Sequence, residues 1–238
     1  MDFNGDGILD LLSGSYDPGD LYFAPGLGRG KYGKLTPLLD KTGEPVTHHL
    51  GPKQMASKEG TYNNPEKFGS WPMPVDWDDD GDLDVLIGSF GGELFLRTNE
   101  GTRTKPVISE KPLPVPSIRV KGHADPVVAD WDGDGRWDLI VGACDGSVVW
   151  FRNSGAKGNP TFEAARTLVE PKADESLKFL TQRLKTDESP KPGVRAQICV
   201  TDYDRDGKLD LVVGDYSDIS IDGGQTHRSS FVWLYRQK

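Results

Sequence analysis

Short apolar runs separated by polar, glycine-rich loops recur along the whole chain. Four runs end in glycine, namely LLSG, VLIG, LIVG and LVVG. After a turn, each is followed by a second apolar run, and these are DLYFAP, ELFLRTN, SVVWFRN and FVWLYRQ. Short runs rich in β-branched and aromatic residues are typical of strands. The chain is therefore predicted to be all-β.

The runs group into repeats, and each repeat predicts a four-stranded antiparallel meander of about sixty residues. An apolar stretch precedes three of the repeats' polar loops, and KPVISE and PTFEAARTLV are predicted to be the fourth strands of the two middle repeats. Aligning Arg97 with Arg152 makes Phe95 the counterpart of Trp150 as a core aromatic residue. Leu177, Leu180 and Leu184 have helical spacing, which suggests one short helix between the third and fourth repeats.

One acidic motif fills the loop between the first and second strands of every repeat. The copies are DFNGDGILDL, DWDDDGDLDV, DWDGDGRWDL and DYDRDGKLDL, and the sixth position is always glycine, which permits a sharp turn. Carboxylates this close repel one another, so the spacing favours a cation among them. A set of Asp-Gly or Asn-Gly hairpin turns without an ion is the alternative.

Oxygen atoms at positions 1, 3, 5, 7 and 9 are predicted to surround Ca²⁺, with position 7 contributing its backbone carbonyl. Ca²⁺ accepts about six to eight oxygen ligands, whereas Mg²⁺ requires a stricter octahedron and Zn²⁺ prefers His or Cys. An EF-hand is excluded because position 12 is never Glu and the flanks are strand-like. Up to four Ca²⁺ are expected, and the predicted ligands are Asp2, Asn4, Asp6, Ile8 and Asp10; Asp76, Asp78, Asp80, Asp82 and Asp84; Asp130, Asp132, Asp134, Arg136 and Asp138; and Asp202, Asp204, Asp206, Lys208 and Asp210.

Composition agrees with this interpretation. The net charge is −9, and nearly half of the 37 acidic residues lie in the four loops. The predicted metal ligands therefore account for the acidity of the chain. No basic patch suggests a nucleic-acid partner, and no apolar run approaches the ~18 residues of a membrane span. Cys144 and Cys199 are predicted to be two buried free thiols, with a disulfide between them as the alternative. The aromatic residue at loop position 2 (Phe3, Trp77, Trp131 or Tyr203) is expected to pack between neighbouring repeats.

The motif set, clearest in DWDGDGRWDLIVG, resembles the FG-GAP/VCBS-type repeats of calcium-binding β-propellers, which also occur in integrin α-chains and bacterial surface proteins. The full FG…GAP arrangement is absent, so the bacterial VCBS-like branch fits better. The resemblance implies that each meander is a propeller blade and that the loops carry Ca²⁺. We place a single domain at 1–238, with blades at approximately 1–40, 72–115, 126–169 and 194–238 and inserts at 41–71 and 170–193.

The first repeat lacks its opening strand and the last lacks its fourth, so we expect a section of a larger propeller, with a compact four-bladed ring as the alternative. Open sheet edges would permit self-association.

The favoured function is a non-catalytic calcium-binding module for adhesion or for binding a protein or glycan, located outside the cell, on its surface or in the periplasm, although this chain shows no signal peptide. The alternative is a carbohydrate-active protein, either a polysaccharide lyase-like enzyme or a lectin. The lyase-like enzyme would need a basic or acid–base group, for instance His123, His227, a lysine or an arginine. Trp71 and Tyr62 are the residues that could stack on a sugar ring. No residue is assigned a catalytic role.

Overall fold

The computed structural model describes residues 1–49, 68–172 and 181–237. Every regular element among these residues is a β-strand, and they include no α-helix. The chain forms two compact units, Met1–Arg119 with Ser154–Phe162 and Val120–Asn153 with Glu163–Lys238. Each unit contains two blade-like sheets whose strands pair antiparallel, except for one parallel pair in the second unit. The predicted fold class, all-β with antiparallel propeller-type blades, is confirmed.

The first sheet of the first unit follows the first acidic loop and has three strands in the order β1-β2-β5. A two-stranded hairpin, β3 with β4, branches from it. The strands are β1 (Leu11–Gly14), β2 (Leu21–Ala24), β3 (Gly26–Gly28), β4 (Lys31–Tyr32) and β5 (Thr36–Pro37).

The second sheet is a complete four-stranded meander in the order β6-β7-β8-β9. Its strands are β6 (Ser70–Val75), β7 (Asp84–Ser89), β8 (Glu93–Arg97) and β9 (Leu113–Arg119). The prediction that KPVISE is the fourth strand is wrong, because β9 begins after that segment. Ile108 within the segment is instead buried and forms isolated bridges to Asp40 and Asn99.

The core of the first unit lies between its two sheets. Phe3, Leu21, Val85 and Ile87 belong to one buried cluster, which joins the first acidic loop to strands of both sheets. Val46 also belongs to this cluster, and its carbonyl accepts a hydrogen bond from the Leu21 amide at 2.9 Å. The start of the predicted insert 41–71 is therefore part of the core, and its residues 50–67 lie outside the described residues.

The third sheet opens the second unit and repeats the meander in the order β10-β11-β12-β13. All five residues of β11 are buried, which explains why this run is apolar on both faces. The strands are β10 (Asp125–Ala129), β11 (Asp138–Gly142), β12 (Val148–Phe151) and β13 (Arg166–Val169).

The fourth sheet is built around the twelve-residue strand β16, which pairs with β15 and β18 at one end and with β14 and β17 at the other. The β14 pairing is parallel. Leu184 lies on β14, so the helix suggested for this segment is wrong there, while Leu177 and Leu180 lie outside the described residues. The strands are β14 (Thr181–Leu184), β15 (Val194–Thr201), β16 (Asp210–Ile221), β17 (His227–Ser229) and β18 (Val232–Tyr235).

The two sheets of the second unit share a core that includes Trp131, Ile140, Trp150, Leu211 and Val213. Two close contacts join the third sheet to the fourth. The Ile198 amide on β15 donates to Asp125 Oδ2 at 2.8 Å. A Cβ added to Gly142 would lie 2.3 Å from the Ala196 carbonyl oxygen, so only glycine permits this approach.

Candidate metal centre

The four acidic loops share one backbone conformation. The second, third and fourth loops join β6 to β7, β10 to β11 and β15 to β16, and the first leads into β1. The glycine at position 6 has a positive φ of 83°, 94°, 86° or 88° in the four loops, as predicted from the sharp turn. Position 4 is also left-handed in every loop, although it is Asp79 in the second and Arg205 in the fourth. The conformation is thus kept even where a non-glycine residue must adopt it.

The carboxylate at position 1 accepts hydrogen bonds from main-chain amides later in the same loop. In the third loop, Asp130 Oδ1 accepts from the Asp134 amide at 3.0 Å and Oδ2 accepts from the Gly135 amide at 2.9 Å. Asp202 accepts from the amides of Asp206 and Gly207 in the same way, at 3.0 and 3.1 Å. These bonds hold the side chains of positions 1, 3 and 5 on one side of the turn.

Three loops bring carboxylate oxygens close enough to share a metal ion. In the second and third loops these are the aspartates at positions 1, 3 and 5, with oxygens within 4.8 Å of one another. In the fourth loop the group comprises Asp202, Asp204 and Asp210 instead, so position 9 replaces Asp206. The first loop has a neutral amide, Asn4, at position 3. The predicted carbonyl ligands at position 7 remain predictions.

The aspartate at position 9 has a second role that the spacing alone does not reveal. Asp138 is fully buried, and its two oxygens accept from the Trp131 amide at 3.2 Å and the Asn153 amide at 2.7 Å. The same pair of backbone hydrogen bonds recurs at Asp10, Asp84 and Asp210. This carboxylate therefore fastens the start of the loop to the end of the second strand of the hairpin, whatever it contributes to a metal ion.

The second loop has the highest density of negative charge. Asp82 at position 7 is buried, and this burial together with the charges of Asp80 and Asp78 raises its pKa. Burial also raises the pKa of Asp84 to about 6. Asp76 Oδ1 is shielded from solvent and makes no hydrogen bond within the described part of the chain. A shielded carboxylate oxygen in a group of like charges fits a hard cation with oxygen ligands.

Two arginines pair with the carboxylates of the third loop, and the sequence analysis predicted neither ion pair. Arg152 donates to Asp132 at 2.5 Å and to Asp134 at 2.6 Å, and Arg136 is also paired with Asp134. The hydrogen bond from Arg152 lowers the pKa of Asp132. Arg152 lies beside the loop because it directly precedes Asn153, whose amide donates to Asp138.

Strand register also corrects the alignment of the two middle repeats. Arg97 pairs with Val85 and Phe151 pairs with Leu139, one residue after Asp84 and Asp138 respectively. Arg97 therefore corresponds to Phe151, and the counterpart of Arg152 is Thr98. Arg97 is almost completely buried, where it forms an ion pair with Asp40 at 3.1 Å.

The aromatic residues at position 2 differ in their surroundings. Phe3 and Trp131 are buried in the cores of their units, as predicted. Tyr203 is 61% exposed, so the packing prediction is wrong for the fourth loop. Trp71 lies on β6 opposite Gly88 rather than in a free insert, and Tyr62 lies outside the described residues.

The remaining candidate residues lie outside these loops. His227 is exposed on β17, and His123 has a left-handed φ of 45°. Neither Cys144 nor Cys199 forms a disulfide within the described residues. The prediction that both are buried is wrong, because Cys144 is half-buried and Cys199 on β15 is exposed. In the part of the chain that the structure describes, no helix is long and apolar enough to cross a membrane.

Comparison with known proteins places these loops in a family. The family model described as FG-GAP-like repeat matches residues 76–141 and 130–213, which together span more than half of the chain. No curated protein sequence matches the chain. Among solved structures, a chain in the Photorhabdus luminescens Tc holotoxin pore is similar, with 15% sequence identity and a TM-score of 0.42. The match covers 92% of this chain and 8% of the toxin chain. On the strength of the family match and the recurring acidic loops, this chain belongs to the FG-GAP-like repeat family.

Proposed function

We propose that the acidic loops bind Ca²⁺ and that the chain is a calcium-stabilised, non-catalytic binding module. Bound Ca²⁺ would supply positive charge that offsets repulsion among the carboxylates. Oxygens at positions 1, 3 and 5 would hold it, together with the position-7 carbonyls and with position 9 where that carboxylate is within reach. The ligand residues are the twenty given from the sequence, four loops of five.

The second loop carries the proposal. Its aspartates at positions 1, 3 and 5 bring their oxygens within 4.8 Å of one another, and Asp76 Oδ1 is shielded from water without a hydrogen bond in the described residues. Desolvated like charges are unfavourable unless a counter-charge is present. An ordinary Asp-Gly turn does not require this arrangement, since the turn needs left-handed backbone conformations and not clustered carboxylates.

The choice of Ca²⁺ over other divalent ions follows from the donor set. All the candidate donors are oxygens, which argues against Zn²⁺. A short loop with several carboxylates supplies many ligands without a strict octahedron, which favours Ca²⁺ over Mg²⁺. Extracellular Ca²⁺ concentrations are sufficient to fill even weak sites of this kind. The family membership and the need for a high Ca²⁺ concentration together support a location outside the cytoplasm. They also support a role in binding a protein or glycan.

The experiment that tests calcium binding is a pair of measurements on the whole chain. Isothermal titration with Ca²⁺ should show saturable binding, and the melting temperature should be higher in millimolar Ca²⁺ than in EDTA. Binding of a ligand at 100 times its Kd stabilises the folded state by about 2.7 kcal/mol per site. Mg²⁺ at the same concentration is the ion control. Identical melting curves in Ca²⁺ and EDTA, with no heat of binding, would refute the proposal.

A further inference from the structure

A backbone hydrogen bond identifies one equivalent position beside each acidic loop, although the residue type there differs from loop to loop. The amide that donates to the position-9 carboxylate belongs to Asn99 in the second sheet, Asn153 in the third and Gln237 in the fourth. The residue immediately before this amide, here called the gate position, is Thr98, Arg152 or Arg236. In the first sheet the donor is Gly26 and the gate position is Pro25.

The arginine at the gate position of the third loop reaches its candidate ligands. Arg152 Nε donates to Asp132 Oδ2 at 2.5 Å and Nη2 donates to Asp134 Oδ2 at 2.6 Å. Its third contact, Nη1 to Glu163 Oε1 at 3.1 Å, anchors the guanidinium from the opposite side. Only 27% of the side chain is exposed, so solvent screens these charges only partly. Two of the three clustered carboxylates are thus already bound to a positive charge.

A second cation strengthens the effect in the same loop. Arg136 occupies position 7, where it pairs with Asp134 and donates from Nε to the Asn153 carbonyl at 3.0 Å. Asp134 therefore contacts two guanidinium groups. A divalent ion that takes Asp134 as a ligand must compete with both arginines for this carboxylate.

The second loop offers the opposite arrangement at every matched position. Its gate residue is the neutral Thr98, and position 7 is the acidic Asp82. The nearby cation, Lys157, pairs at 2.6 Å with Asp79 at position 4, which is not a predicted ligand. Within residues 1–49, 68–172 and 181–237, none of Asp76, Asp78 and Asp80 forms an ion pair. Among the described residues, no cation is in ion-pair contact with the ligand carboxylates of this loop, and Lys157 acts on Asp76 only at longer range.

The fourth loop is intermediate. Arg236 lies at its gate position and approaches Asp204 at position 3, the counterpart of Asp132, but at 3.5 Å and with 62% of its side chain exposed. The same residue type at the same position thus makes a looser contact with one ligand rather than a close contact with two.

We infer that Arg152 is a built-in competitor for the divalent cation, and that the third loop therefore binds Ca²⁺ more weakly than the second. This inference rests on the proposed calcium binding. Arg152 is an affinity-determining residue, since it neither supplies a ligand oxygen nor shapes the turn. Charge-assisted hydrogen bonds of this type must be broken before both carboxylates can ligate an ion, which corresponds to about a tenfold change in Kd or more.

The test exchanges the gate residues of the two loops. Arg152→Thr should tighten one class of Ca²⁺ sites by about tenfold in isothermal titration. Thr98→Arg should weaken a different, tighter class. Arg152→Lys retains a charge but not the paired donors, so its Kd should lie between those of the parent and Arg152→Thr. Terbium luminescence, excited through the tryptophans of the second and third loops, gives a second readout of metal occupancy in those two loops.

Two controls assign the effect to the third loop. Arg166→Thr removes the same charge from a neighbouring residue that pairs with Glu163 but with no loop acid, and it should leave every Kd unchanged. Adding Asp132→Asn to Arg152→Thr should abolish the site that the single change tightened.

The outcomes separate the inference from the proposed function. If the parent protein binds Ca²⁺ but neither exchange changes any Kd, the inference is overturned while calcium binding stands. If neither the parent nor any variant binds Ca²⁺, the proposed function itself fails, and the inference fails with it. Should Arg152→Thr not fold, Thr98→Arg and Arg152→Lys decide the question in the same assay.

Discussion

Replacing Asp138 by Ala should destabilise the protein even when no calcium is present. The carboxylate is fully buried and holds the Trp131 and Asn153 amides at 3.2 and 2.7 Å. These two amides lie seven residues before and fifteen residues after Asp138, so this one side chain connects the start of the loop with the end of β12. Alanine cannot accept either hydrogen bond, and both N–H groups would remain in the buried site without partners.

The size of the effect follows from those two bonds. A hydrogen bond to a charged group contributes about 1.5–3 kcal/mol, and a buried donor left without a partner costs a similar amount. Burial raises the pKa of Asp138, which shows that desolvation opposes the charge and reduces the net gain. We therefore expect a loss of about 3–5 kcal/mol in the free energy of unfolding.

The assay compares Asp138→Ala with Asp132→Ala by urea unfolding in EDTA and again in millimolar Ca²⁺. Asp132 is an exposed candidate ligand whose only backbone hydrogen bond in the described chain, from the Asp134 amide, is 3.3 Å long. In EDTA its replacement should cost less than that of Asp138, because it removes only the partly exposed ion pair with Arg152 and this long hydrogen bond. In Ca²⁺ it should cost more than in EDTA, whereas replacement of Asp138 should be costly in both solutions. If Asp138→Ala were as stable as the parent protein in EDTA, position 9 would be a metal ligand alone, and the argument for its structural role would be wrong.

Two further predictions concern the contacts between the third and fourth sheets. Burial raises the pKa of Asp125 from its ordinary 3.8 to about 6, so the folded state binds more protons than the unfolded state between these values and stability should fall as the pH rises through them. Asp125→Asn keeps an acceptor for the Ile198 amide and should remove up to about 3 kcal/mol of this pH dependence, measured by urea unfolding from pH 4 to pH 7. An equal pH dependence in both proteins would contradict the assignment. Gly142→Ala would place a Cβ 2.3 Å from the Ala196 carbonyl oxygen and should cost about 1–3 kcal/mol, whereas Gly214→Ala, at the same position of the next sheet, meets its nearest atom at 3.7 Å and should be tolerated. Thermal unfolding of the two variants checks this difference, and equal melting temperatures would refute it.

The sequence predicted the parts of the fold that depend on local spacing. The acidic loops, their glycine turns and the antiparallel hairpins around them follow from residues within about a dozen positions of one another, such as Asp130 to Gly142. Elements fixed by distant pairing were not predicted. The strand β14 pairs in parallel with the far end of β16, about 35 residues away, and β9 forms after a segment whose Ile108 contacts Asp40 instead.

The site shows the same division between local and distant information. Spacing identified Asp138 as a candidate ligand but could not show that its oxygens bind two backbone amides, because one donor, Asn153, lies beyond the end of another strand. Letter-by-letter comparison aligned Arg152 with Arg97, since both are arginines near the end of a similar run. Only the pairing of Phe151 with Leu139 and of Arg97 with Val85 shows that Arg97 is the counterpart of the buried Phe151 and not of Arg152.

These observations indicate how loops with the same backbone conformation can bind a cation with different affinities. The carboxylates at positions 1 and 9 determine the backbone of the loop by accepting hydrogen bonds from main-chain amides, as Asp130 and Asp138 do in the third loop. One of these donors is the amide of the position-6 glycine, Gly135. The side chains at position 7 and at the gate position make none of these bonds, so they can vary without altering the turn. They are Asp82 and Thr98 in one loop and Arg136 and Arg152 in another, and they determine the charge that a cation meets there. Because these two sets of residues are separate, exchanging the gate residues should change cation affinity without altering the turn. Arg152→Thr should also lower the stability measured in EDTA, since the hydrogen bonds that it removes are those that compete with the ion.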